Sequence, residues 1–320
     1  MSARIGVLAI AALVAAAVSA SPARAYFDDV ETGARAQGMG TAGMAMVDDV
    51  TAYSWNPSAL DRFDRRQAYV AYGKPLGVSG LYTGGVAYGG RTPGLRTLGF
   101  AVAWRRYGVS DVYSEDLWQV SVGQTVKRFA SGHALALGGS LKAGRIAVAT
   151  YDDPVDGTPV DFGSRSALSF DTAVGWRTPW KLDVAWVTTN WNRPDFGFID
   201  GSSGTEVSTS HRVGAAFRWN PESTVGVAWT SAEGTIPARF DVGFEVVFFQ
   251  VFAIRSALTD LGGLPDPGTS AQRFQYAGGV GLLNERWNLD AAVATTRELG
   301  TSYRFSLVVP FGAPFGKGER

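Results

Sequence analysis

The chain contains no cysteine. A small secreted domain that relies on disulfides is thereby excluded, and the fold must hold together by other means. Only two histidines are present, His133 and His211. A zinc centre with several His or Cys ligands is excluded by arithmetic. Charge is scarce: 18% of the 320 residues are charged, and 29 basic side chains balance 29 acidic ones. Nucleic-acid binding calls for a basic patch or stripe, and this balance gives no case for one. Beyond residue 25 no stretch approaches the roughly 18 consecutive apolar residues of a transmembrane helix. Two routes remain open to such a chain: a soluble β-sandwich, or a barrel that crosses a membrane in strands.

Residues 1–25, "MSARIGVLAIAALVAAAVSASPARA", read as a cleaved signal peptide. Arg4 supplies the positive start, Ile5 to Val18 form an apolar run, and "ARA" at 23–25 is a small-x-small cleavage site. The run is too short to span a bilayer. Cleavage after Ala25 leaves 27 basic against 29 acidic residues.

From residue 68 onward the dominant period is two. In "GTSYRFSLVVPF", Tyr303, Phe305, Leu307, Val309 and Phe311 share one face, while Arg304 and Ser306 point the other way. In "ARFDVGFEVVF", Phe240, Val242, Phe244, Val246 and Phe248 oppose Asp241, Gly243 and Glu245. One face is large and apolar; the other is glycine, alanine, serine, threonine or charge. The outer face of a soluble sandwich is typically rich in Lys, Glu and Thr. Tiny residues suit a crowded lumen better, and large apolar ones suit lipid.

Fourteen strand-like segments follow: 68–74, 80–90, 96–106, 116–128, 133–146, 165–176, 180–191, 209–219, 223–231, 238–247, 249–257, 272–283, 286–296 and 301–311. Connections after even-numbered segments are tight, as in "FASG", "RTP" and "NER". Several after odd-numbered segments are long: 107–115, 147–164, 192–208 and 258–271. Short turns on one side and long loops on the other is the asymmetry of an outer-membrane barrel. The expected fold class is all-β: a transmembrane antiparallel up-and-down β-barrel of about 14 strands over residues 68–311. A periplasmic tail, 312–320, follows it.

A lumen of that size leaks unless something fills it. Residues 26–67 precede the first strand and are compact enough to fold inside as a plug or hatch. Gly33, Gly38, Gly40 and Gly43 permit backbone turns, and Asn56-Pro57 reads as a turn. Asp48, Asp49 and Asn56 are expected to pair with Arg105, Arg212, Arg218 or Arg255. Inward-facing charges at Arg105, Asp171, Asp183, Arg218, Asp241, Glu245 and Arg255 are expected to form a polar network, since buried charge must be paired or hydrated. Tyr69, Val187, Trp191, Val247 and Phe249 are the apolar candidates for the lumen.

The stretch "GARAQGMGTAGMAMVDDVTAYSWNPSALDRF" resembles the N-terminal signature of the FadL-type superfamily of outer-membrane proteins. Within that superfamily it looks closer to the PorV/PorQ-like branch. The resemblance covers about 35 residues and implies a hatch that includes Gly33, Arg35, Gly38, Gly40, Asp48, Asp49, Trp55, Asn56 and Pro57. Ser58-Ala59-Leu60 stands where Ala-Gly-Leu is usual, and the tail beyond Phe311 is a second departure. The resemblance implies passive transport of small hydrophobic molecules across the outer membrane. A PorV-like barrel offers an alternative, binding a secretion partner or cargo through long loops that bear Phe196, Phe198, Ile199 and Leu264.

Nothing in the chain reads as an enzyme. A Ser-His-Asp constellation has no suitable context at His133, in a turn, or at His211, at a strand start. The acidic loop "YDDPVDGTPVD", with Asp152, Asp153, Asp156 and Asp161, lacks EF-hand spacing and reads as a solvated loop. No cofactor and no nucleic acid is expected; the partner is outer-membrane lipid.

Overall fold

The computed structural model describes residues 33–92, 95–152, 157–198, 206–231, 238–261, 275–296 and 300–315. The signal segment 1–25, Ile199, Leu264, Asp153 and Asp156 lie outside the described residues. Fourteen strands close into one antiparallel barrel. The first seven are β1 (Arg66–Lys74), β2 (Leu81–Thr92), β3 (Leu95–Val109), β4 (Tyr113–Arg128), β5 (Ala134–Val148), β6 (Ser164–Arg177) and β7 (Leu182–Thr189). The others are β8 (Ser210–Asn220), β9 (Ser223–Thr230), β10 (Arg239–Phe248), β11 (Phe252–Leu261), β12 (Gln275–Leu283), β13 (Asn288–Thr296) and β14 (Gly300–Phe311).

Each strand pairs with its neighbour in sequence, and β1 closes the ring against β14 from Arg66↔Phe311 to Lys74↔Tyr303. Closure matters physically because it leaves no row of unpaired N–H and C=O groups. The turn between β10 and β11 holds Phe249 and Gln250 at φ 53° and 60°, the paired positive angles of a type I′ hairpin. Phe249 therefore stands at the turn tip, 91% exposed, and not in the lumen. The stretch 107–115 is not a long loop either. Val109 pairs with Tyr113 in a continuous ladder, so β3 and β4 extend to a turn over Ser110, Asp111 and Val112.

The period-two pattern sorts the side chains as its chemistry demands. Val120, Val122, Leu141, Phe170, Phe244 and Phe305 are exposed on the outer wall. Tryptophans gather at two levels on that wall. Trp176, Trp180, Trp219 and Trp287 flank the tight-turn rim. Trp104, Trp118, Trp186 and Trp229 stand nearer the other rim, with Trp104 directly opposite Trp118 in the ladder. Two aromatic belts around an apolar band match the two interfaces of a bilayer.

The interior is filled by the N-terminal segment. It comprises a short helix α1 (Ala34–Met39), a 3-10 turn (Gly40–Ala45), a second short helix α2 (Ala52–Trp55) and a 3-10 turn (Pro57–Ala59). Met39, Met44, Val50, Tyr53, Trp55 and Leu60 are buried and form the protein's main apolar core with inward-facing alanines such as Ala101, Ala173, Ala185 and Ala228. The core of this barrel is thus the seam between segment and wall.

Candidate functional site

The wall accepts the segment because glycine faces it at the points of closest approach. A Cβ on Gly123 of β4 would run into the Pro57 carbonyl oxygen, and one on Gly138 of β5 would meet the Pro57–Ser58 peptide. Across the bore, Gly226 of β9 faces the Ala42 carbonyl and Gly243 of β10 the Met39 carbonyl. Gly99 of β3 lies against Leu60. The inward small-residue face is therefore a socket for backbone.

Polar groups fix the register. Arg35, on α1, donates to Glu245 of β10 through Nε and Nη2, at 3.0 and 2.9 Å. Its Nη1 reaches Asp48 at 2.6 Å and Asp49 at 3.3 Å. Burial alone disfavours the Arg35 charge, but Glu245, Asp48 and Asp49 outweigh it and hold the guanidinium well above its ordinary value. Glu245 is shared with Arg255, whose Nε lies 2.5 Å away and whose Nη1 reaches Asp290 at 2.6 Å. Asp241 accepts from the backbone N–H of Thr41 at 3.0 Å and from its hydroxyl. Arg62 and Arg218 meet on Asp183, at 3.1 and 3.3 Å. Asp61 accepts from the backbone and hydroxyl of Thr125, and Arg177 lies beside it.

These pairings differ from those expected. Asp48 and Asp49 bind Arg35 of their own segment, not Arg105, Arg212, Arg218 or Arg255. Asn56 is fully buried and turns inward on the segment: its Nδ2 donates to the Met44 carbonyl at 3.4 Å and its Oδ1 accepts from Ser58 at 2.6 Å. Ser58, where alanine is the usual residue, thus closes the Asn56-Pro57 turn. Gly33 and Gly40 both hold positive φ, 88° and 59°, where an L side chain is strained. Gly38 lies against the backbone of Gly279. Arg105 donates to Ser54 at 3.1 Å and Gln119 at 3.2 Å, and Arg212 sits 5.9 Å over the ring of Trp55. The roles of Arg62, Asp61 and Arg177 were missed. Asp61-Arg62 is an ordinary charged pair in the sequence and carries no signal of which wall residue it will meet.

Above the segment, toward the long loops, lies a cavity of about 300 Å³. Its floor includes Thr41, Ser54 and Trp55. Lys142 of β5 and Asp171 of β6 meet at 2.6 Å on its wall, and Asn190 accepts from Lys142 at 2.6 Å and from Ser169 at 3.0 Å. Asn190 begins the connection from β7 to β8, and Pro194, Phe196 and Val207 of its described residues line the cavity. Phe196, expected as an exposed contact on that loop, is 2% exposed and packs with Ile146 and Val207. Trp191 is exposed on the outside and does not line the cavity; its indole donates to Thr172 at 2.8 Å. Tyr69 and Val187 are buried inside.

The histidines have structural neighbours. His133 makes a tilted ring contact with Trp176 and an edge-on one with Trp180, and His211 shares a 2.9 Å hydrogen bond with Thr188. Among the described residues no group of three or more His, Asp or Glu is placed to hold a metal ion.

No protein-family model and no curated protein matches the chain. Solved structures do. A channel described as the CymD monoaromatic hydrocarbon channel superposes with a TM-score of 0.65 at 11% identity, covering 90% of this chain and 100% of its own. A FadL homologue of Pseudomonas aeruginosa gives 0.57 at 10% identity over 88% and 98% of the two chains. The Pseudomonas putida toluene transporter TodX gives 0.56 at 12% identity over 89% and 98%. The fold is of the FadL type. At these identities the likeness concerns the FadL-type fold alone, and the PorV/PorQ-like branch is not among these neighbours.

Proposed function

We propose that this protein is an outer-membrane barrel that passes small hydrophobic molecules without an energy source, its N-terminal segment closing the bore at rest. The observation that carries this reading is the filled lumen beneath a cavity of about 300 Å³. A general porin needs a continuous aqueous bore, whereas a selective passage needs a site where one solute is held at a time. The FadL-type fold, shared with channels named for hydrocarbons and toluene, supports the same solute class. Residues 1–25 fit this reading as the export signal, and the two tryptophan belts fit a bilayer. A docking role for the loops draws no support from Phe196, which is buried against its own barrel.

The test compares the mature chain with a variant lacking residues 33–63 in planar bilayers, together with toluene uptake into proteoliposomes. The intact protein is expected to be electrically silent and to speed toluene entry, and the deletion to conduct steadily. Steady conductance from the intact chain would overturn the closed-bore reading; toluene uptake no faster than into empty vesicles would overturn the solute class.

A further inference from the structure

The tight turns of the barrel are not alike in charge. From Leu117 to Thr150 the chain carries no acidic residue, and none occurs from Thr172 to Leu182. The turns within these two stretches, β4–β5 and β6–β7, are neighbours on the rim because β5 pairs with β6. They bring Lys127, Arg128 and Lys181 to the surface, all three exposed. None of the three has a carboxylate partner among the described residues. Arg177, in the second stretch, is turned inward beside Asp61. Elsewhere on the same rim the β8–β9 turn carries Glu222, and the β12–β13 turn sets Glu285 beside Arg286. The uncompensated positive charge is therefore confined to one arc.

That arc has an aromatic floor. Lys127, Leu135 and Trp176 are successive partners across β4, β5 and β6, on the outer face that also exposes Leu137 and Val174. Lys127 thus stands at the level of the tryptophan belt. One step nearer the rim, the Phe129 N–H donates to the His133 carbonyl at 2.9 Å. Ring centroids lie 5.4 Å apart for Phe129 and Trp176, 5.5 Å for His133 and Trp176, and 5.2 Å for His133 and Trp180. The Lys127 Nζ lies 4.9 Å over the Phe129 ring. Trp180 is 67% exposed and is followed directly by Lys181. A contiguous aromatic surface is edged by a lysine at each end. Tryptophan settles at the headgroup level of a bilayer, and a lysine stem lies along apolar surface with its ammonium in the polar layer. The abundant anion at that depth is lipid phosphate, which accepts charged hydrogen bonds. A soluble anion would meet the lysines alone, whereas a lipid also lays its chains on Leu135, Leu137 and Val174.

We propose that the arc from Lys127 through His133 to Lys181 docks an anionic phospholipid of the leaflet at the tight-turn rim. The site rests on the outer-membrane reading and is independent of the solute the channel passes. Native mass spectrometry of the purified mature protein tests it, with dioleoyl phosphatidylglycerol and its zwitterionic counterpart dioleoyl phosphatidylcholine titrated in turn. Wild type is expected to hold its first phosphatidylglycerol at least tenfold more tightly than its first phosphatidylcholine. Each cation near an anionic lipid surface contributes about fivefold, so Lys127→Gln with Lys181→Gln should weaken phosphatidylglycerol by about tenfold or more and leave phosphatidylcholine unchanged. Arg286→Gln, exposed beside Trp287 on another arc, should change neither. Glycerol phosphate at the lipid concentration should not displace the lipid. Equal retention of the two lipids, a preference that survives the double variant, an equal loss in Arg286→Gln, or displacement by glycerol phosphate would overturn the site. No adduct of either lipid would overturn the membrane reading along with it.

Discussion

A methyl group at Gly123 would occupy the space now taken by the Pro57 carbonyl oxygen. The obstacle is backbone, held from behind by the buried Asn56–Ser58 turn, so no side chain can swing aside to relieve it. Forcing a methyl into a packed interior costs about 1–3 kcal/mol. The barrel ladder around Gly123 is continuous from Leu98↔Gln124 to Val109↔Tyr113, and the N-terminal segment is the softer partner. The strain therefore falls on the seam, and the open population should rise by roughly 5–150-fold. Gly123→Ala is expected to show frequent opening events in planar bilayers where wild type shows few. Gly278→Ala is the control: its added Cβ meets only the Arg255 carbonyl at 3.7 Å, an ordinary contact. Gly123→Ala as silent as Gly278→Ala, with equal thermal midpoints, would refute the idea that backbone-to-glycine contact seals the bore.

Other consequences are equally accessible. Arg255→Met leaves Glu245 and Asp290 buried without their shared cation; breaking such a group costs about 3–5 kcal/mol, read as a lower midpoint in heat-dependent gel migration. Combining it with Glu245→Gln and Asp290→Asn should recover part of that loss. Val120, 54% exposed midway along β4, faces outward, and Val120→Arg should disfavour insertion into lipid vesicles by about 2–4 kcal/mol if it sits at the bilayer midplane. Ser121→Ala, one residue on but inward, loses its bonds to Ser140, Gln119 and the Tyr53 carbonyl and should insert normally. The Phe315 N–H donates to the Asp64 carbonyl at 2.7 Å, and Arg91 lies 5.4 Å over its ring. Truncation after Phe311 should therefore raise protease cleavage near Asp64 without lowering the yield of folded barrel.

The wall was legible because a half-buried strand writes its two faces into alternate residues, as Phe240, Phe244 and Phe248 do against Asp241 and Glu245. The turn at Phe249-Gln250 was harder to place because the apolar run continues through it, and the positive φ pair that bends the chain leaves no glycine as a mark. Sequence also exposed the small inward residues, but not what they face. Gly123 and Gly226 contact opposite stretches of one segment, and that depends on its rotation within the bore. The same reason hid the pairings. Arg35 could meet any acid on fourteen strands, and only the rotation that seats Ala42 on Gly226 brings it to Glu245. Phe196 misled for a simpler cause: a long hydrophilic connection does not reveal which way it folds.

The closure of β1 on β14 constrains the order of assembly. Arg66 and Phe311 are partners from the first and last strands of the barrel, so the last ladder to form joins its most distant strands. The N-terminal segment is interlocked with glycines on strands all around the ring, and it enters the sequence just before β1. Threading it into a finished cylinder would drag the bulky Trp55 and Tyr53 past the wall residues that bury them. The seam must therefore be laid while the sheet is still open, with the segment serving as the mandrel on which the wall is curved. A barrel assembled this way carries its own template, and folding rate should fall when the template is loosened even if every strand is untouched.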